Sequence, residues 1–206
     1  MIKKSKMSIS NMLFVVAIAI GVVTLFLTIF MQDLSSTFNI IMSIVFIALI
    51  CVPLLLNAIF RFHLPDYISI FYYIFIMLST LAGTIYGLYN YFEYYDIILH
   101  GLSGVLLAGL GLYLNNYLNN KCKSVVFVVL FIIGIAVIGG VLWELWEYFG
   151  DEFLGLNSQR HTDINGVAYV GHAALADTMY DLLSDLLGAV LFSIGYGINI
   201  VYKKKN

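Results

Sequence analysis

Seven carboxylates and one imidazole fall at helical spacing between Asp96 and Asp185 of an otherwise strongly apolar chain. Asp96 and His100 are i and i+4, which puts both on one helix face. Glu144, Glu147 and Asp151 follow at 0, 3 and 7, again one face. Asp177, Asp181 and Asp185 follow at 0, 4 and 8, a stripe that drifts by about 40° per step. Carboxylate oxygens joined by an imidazole suit a divalent cation such as Mg²⁺, Mn²⁺, Zn²⁺ or Fe²⁺. The candidate ligands are Asp96, His100, Glu147, Asp177, Asp181 and Asp185. An acid left over, Glu144 or Glu147, is the candidate catalytic base toward a cation-bound water.

Other chemistries find little support. There is no HExxH motif, and Cys51 and Cys122 have neither metal spacing nor an evident disulfide role. A net charge of −2 offers no basic surface, so nucleic acid is not an expected partner. The glycines of "LAGLGLY" lie inside an apolar run and read as packing, not as a phosphate loop.

The elements that must carry these residues follow from composition. Of 206 residues, 62% are hydrophobic and only 11% charged, whereas a soluble domain is nearer half apolar and a quarter charged. The fold class is therefore all-α, a polytopic transmembrane helix bundle, and the expected location, in line with the family resemblance given below, is the bacterial cell membrane. Six runs are long enough to cross a hydrocarbon core as helices: 12–31, 38–60, 67–89, 97–115, 124–149 and 176–201. They are expected to form one domain over residues 1–206. The first run lacks a cleavage-site pattern and reads as a retained helix. Pro53 is expected to kink the second.

Six crossings put both termini on one side. That side holds Lys3, Lys4, Lys6, Arg61, Lys121, Lys123, Lys203, Lys204 and Lys205, and the other holds only Arg160. Both termini are thus expected in the cytoplasm. Asp66 is the one acid expected on that side, and the other eleven fall outward.

Depth sharpens the pattern. If Asp96, Asp151 and Asp177 mark the outer interface, then His100, Glu147 and Asp181 lie one turn inward, with Glu144 and Asp185 a turn below. Ionised groups at such depth are costly, so the site must be wet, protonated or loaded with a cation. Plainer readings apply to the interfacial acids, which cap or snorkel. Trp143, Trp146 and the "YNYFEYYD" cluster read as interface anchors. His161 and His172 read as solvated loop residues. The connection 150–176 is a candidate lid over the outer mouth. Gly104 and Ala108, with Gly139, Gly140 and Gly188, offer close helix contact around the acids.

At "DIILHGLSG", "WELWEYFGD" and "DTMYDLLSDLLGA" the chain resembles the YjdF-like family of bacterial integral membrane proteins. The likeness covers about residues 40–200. It implies that Asp96, His100, Glu144, Glu147, Asp177, Asp181 and Asp185 are family polar positions, and it implies no activity. A looser likeness in layout is to VanZ-like proteins. Those would carry Glu-x-x-Gln and an Arg before the last helix, where this chain has Glu147 and an Arg160 well upstream.

Three functions fit. The first is a metal-dependent hydrolase or transferase acting on lipid or envelope precursors through an outward-facing cation. The second is a proton- or cation-coupled transporter, disfavoured because the inner halves of the spans carry no ionisable residue. The third is a structural membrane protein with no enzymatic role. Beyond the lipid bilayer, the sequence names no partner, and it leaves the metal and the oligomeric state open.

Overall fold

The computed structural model describes residues 7–31, 36–118, 124–163 and 165–205. Lys3, Lys4, Lys6, Lys121, Cys122 and Lys123, used above for orientation and cysteine chemistry, lie outside the described residues. All extended structure among the described residues is a single bridge between Thr162 and Ala168; the rest is helix and loop.

Helix α1 (Ile9–Phe30) starts at Ser8, whose hydroxyl accepts from the Asn11 amide. Helix α2 (Thr37–Ile50) is capped the same way by Ser36. It breaks at Cys51, and α3 (Val52–Phe60) leaves at 47°. Pro53 in the first turn of α3 explains the break. Proline has no N–H to give the carbonyl four residues back, that of Leu49. The Tyr72 hydroxyl takes that place, donating to Leu49 O at 2.8 Å. Hydrogen bonds of this kind between membrane helices average about 0.6 kcal/mol.

Helix α4 (Asp66–Ile76) follows Pro65, with Asp66 at the favourable N-terminal end of its dipole. It continues as a wider π-helical stretch, Met77–Ile85. A single turn, α5 (Leu88–Tyr91), leads to α6 (Tyr95–Leu118). Helix α7 (Val125–Leu154) runs five residues past its expected end at 149. It stops at Gly155, whose left-handed φ of 65° lets its N–H and the next return to the Asp151 and Gly150 carbonyls. A 3-10 turn (Gly171–Leu175) opens α8 (Ala176–Lys205). Among the described residues, five helices are long and apolar enough to cross a membrane, or six if the bent α2–α3 pair is one span.

The chain divides into two compact units, 1–95 and 96–206. In the first, Ala17, Phe46, Ile50, Tyr73, Ile76, Leu81 and Ile85 form the core. Ser10 at the start of α1 donates to Asp66 at the start of α4, at 2.8 Å. Farther along, Thr24 meets Tyr86 at 3.3 Å. Two contacts in the same order make α1 and α4 parallel.

In the second unit, Ala108, Val128, Ile132, Ala136 and Ala189 form an apolar core among α6, α7 and α8. The outer faces are apolar as well: Leu130, Ile138, Leu142, Leu187 and Leu191 are all more than half exposed. A surface of that kind in water would be one large sticky patch. Facing acyl chains, it carries no penalty.

Candidate metal centre

Small residues bring the backbones together where the acids lie. A side chain at Gly104 of α6 would run into the Asp185 carbonyl, and one at Gly188 of α8 into the Gly101 carbonyl. Ser184 ties the same seam by donating to Ile97 O at 2.6 Å. From α7, Gly140 leaves the space that the Asp185 carboxylate occupies; a Cβ there would lie 2.5 Å from Asp185 Oδ2. Asp185, 1% exposed, thus sits in a cradle contributed by three helices. The Ser103 hydroxyl lies between the His100 carbonyl and Asp185 Oδ1 and donates to either.

That buried carboxylate orients His100. Asp185 Oδ2 lies 3.2 Å from His100 Nδ1. A proton held on Nδ1 by this contact leaves the Nε2 lone pair free, the arrangement common behind metal-bound histidines. Nε2 faces three further acids: Asp96 Oδ1 at 3.8 Å, Asp181 Oδ2 at 3.9 Å and Glu144 Oε1 at 4.0 Å. These are too long for hydrogen bonds.

Two groups of ligand atoms converge to within 4.8 Å of one another: His100 with Glu144 and Asp181, and Asp96 with Asp177 and Asp181. A cation about 2.1 Å from two ligands at the tetrahedral angle holds them about 3.4 Å apart. His100 Nε2 is thus about half an ångström farther from Glu144 and from Asp181 than a shared cation would hold it. Among the described residues, five buried side-chain oxygens lack a hydrogen-bond partner: both of Glu144, both of Asp181 and Oδ2 of Asp177. Gln159 Nε2 donates to Thr178 Oγ1 at 2.9 Å, and the remaining donors of this pair lie near Glu144 without reaching hydrogen-bond geometry. Leaving buried polar atoms unpaired is expensive, and all three residues that bear them belong to these two groups.

One cation of the protein's own reaches this volume. Arg160 places its guanidinium nitrogens 3.2 Å from Asp96 Oδ2 and 3.7 Å from Asp177 Oδ1. The loop after α7 aims it. Asp151, in the last turn of α7, accepts from the Ser158 and Gln159 amides at 2.7 and 3.0 Å and pairs with His161 at 3.2 Å. Gln159 fastens the loop to α8 through Thr178. Beyond it, Asp163 Oδ1 accepts from the Asn165 and Val167 amides, both at 2.8 Å. Its carboxyl is held below the ordinary range by the Val167 amide first, then by Asn165.

The structure brings Asp96, His100, Glu144, Asp177, Asp181 and Asp185 together. Glu147 is in neither group of ligand atoms; it is half-buried, with Oε1 accepting from Trp143 Nε1 at 2.9 Å. At the level of His100, α7 therefore presents Glu144 and not Glu147. Asp151, read by spacing as part of the stripe, instead organises the loop. Arg160, Ser103 and the Gln159–Thr178 pair were not among the sequence candidates. The available signal for Arg160 was its isolation: it is the one basic residue on the side expected to hold eleven acids.

These features define a polytopic helical membrane protein with an enclosed acid–imidazole cluster among its last three long helices. The chain belongs to the family described as Predicted membrane protein (DUF2238), whose model matches residues 12–200 and so takes in every helix of the cluster. No curated protein and no solved structure matches it.

Proposed function

We propose that the cluster binds a divalent cation through His100 Nε2, Glu144 and Asp181, on the outward side of a six-span bundle with both termini in the cytoplasm. The observation that carries this reading is the set of buried, unpartnered carboxylate oxygens of Glu144 and Asp181 beside a histidine whose other nitrogen is held by Asp185. A cation gives each of these carboxylates, and the free histidine nitrogen, the partner it lacks. The parallel course of α1 and α4 supports six spans, because the bent α2–α3 pair must then return across the membrane between them. The YjdF-like motifs lie inside the matched family region.

In this reading the cation polarises a bound water or a phosphoryl or acyl oxygen, and the reaction is hydrolysis or group transfer on a lipid or envelope precursor. Glu147, outside the ligand set and one turn from Glu144, is the base. The apolar core of Ala108, Ile132, Ala136 and Ala189 supports a one-sided site over a transport path. The test is elemental analysis of detergent-purified protein beside His100→Ala and Asp181→Asn variants. Near-stoichiometric metal in the wild type, lost in both variants, is expected. Equal, near-zero metal in all three would overturn the reading.

A further inference from the structure

We infer that the cluster is a two-cation centre, with Asp181 bridging a first cation held by His100 and Glu144 and a second held by Asp96 and Asp177. The inference rests on the cation-binding reading above and deepens it.

Three observations carry it. The first is geometric: the two converging groups share Asp181 and nothing else. Asp181 is fully buried, and neither of its oxygens has a hydrogen-bond partner. One cation taking one oxygen from each ligand would leave the second Asp181 oxygen and Asp177 Oδ2 unsatisfied. The second group gathers an oxygen from each of these two residues and adds Asp96.

The second is charge. Asp96, Glu144, Asp177, Asp181 and Asp185 carry five negative charges when ionised, in a volume where water is scarce. Arg160 supplies one positive charge, and a single divalent cation supplies two more. Two divalent cations with Arg160 bring the cluster to neutrality with His100 uncharged, as a ligand must be.

The third is the placement of Arg160, whose guanidinium spans Asp96 and Asp177, the two unshared ligands of the second group. It acts as a substitute charge for that position and competes with the second cation. A carboxylate-bridged pair of hard cations about 3.5–4 Å apart is suited to clamping the attacking and leaving oxygens of a phosphoryl transfer. A guanidinium displaced by the second cation is then free to take a phosphate oxygen. The substrate class this favours is a phosphoester or diphosphate on a lipid.

The test uses the full chain in detergent, stripped with chelator and reloaded with Mn²⁺ alone. Two Mn²⁺ per chain with an exchange-coupled multiline spectrum are expected. Asp177→Asn should reduce this to one Mn²⁺ with an uncoupled six-line signal, and Asp96→Asn should do the same should the first variant aggregate. The wild-type spectrum needs no variant. One Mn²⁺ in the wild type, unchanged by Asp177→Asn, overturns the second position and leaves the first. Two uncoupled Mn²⁺ overturn the Asp181 bridge. No Mn²⁺ at all overturns both readings.

Discussion

Replacing Arg160 with Gln should tighten binding of the second cation. The guanidinium lies 3.2 and 3.7 Å from the two carboxylates that hold that position. With metal–oxygen distances near 2.2 Å, the guanidinium and cation are separated by about 5 Å. At effective dielectric constants of about 40–80, charges of +1 and +2 at about 5 Å repel by roughly 1.7–3.3 kcal/mol. The high dielectric is appropriate because the Arg160 side chain is 35% exposed. That energy corresponds to about twenty- to three-hundredfold in affinity. Titration of chelator-stripped protein with Mn²⁺, read by the free-ion resonance, measures it directly. Raising the salt concentration should shrink the difference, because part of the repulsion passes through solvent. Unchanged or weaker binding of the second Mn²⁺ in Arg160→Gln would refute the competition between arginine and metal.

Other outcomes follow from the same geometry. Asp185→Asn keeps the shape behind His100 but removes the charge on Nδ1, so Mn²⁺ affinity at the first position should fall about ten- to a hundredfold; an unaltered affinity would show that the carboxylate only fills space. Gly104→Ala should cost about 1–3 kcal/mol by forcing α6 away from the Asp185 carbonyl, seen as a lower thermal midpoint in detergent, while Gly134→Ala, which meets nothing within 4 Å, serves as the silent control. The turn at Asp163 should depend on pH with a definite sign. Its folded carboxyl is lowered from 3.8, so the stabilisation is complete above that value and disappears as pH falls through the lowered one. Protection of the Val167 amide reports it, and loosening centred above 3.8 would contradict the hydrogen bonds described.

The helices were legible because runs of about twenty apolar residues have few alternatives to a membrane span. Their ends were less so. The stretch "EYFGDEFL" mixes acids with aromatics, which reads as an interface, yet helical spacing continues through Leu154 to the stop at Gly155. Spacing alone put Glu147 level with His100, where the structure has Glu144, since the relative slide of two helices depends on packing. Here Gly140 against Asp185 and Gly104 against the α8 backbone set that slide, and the result is Glu144 opposite His100. Arg160 was hidden for a different reason. Its direction depends on a loop held by Asp151 and Gln159, and loop contacts of that sort leave no periodic trace.

The glycine-lined seam also limits how anything can reach the acids. Where backbones already touch, a side chain cannot rotate aside to make a passage, and a slide of even one residue, about 1.5 Å, would drive bulkier neighbours into Asp185. Traffic between those three helices is therefore closed at the depth of Asp185. Among the charged side chains of the cluster the one most open to an incoming group is Arg160, 35% exposed against 16% for Asp177 and 11% for Asp96.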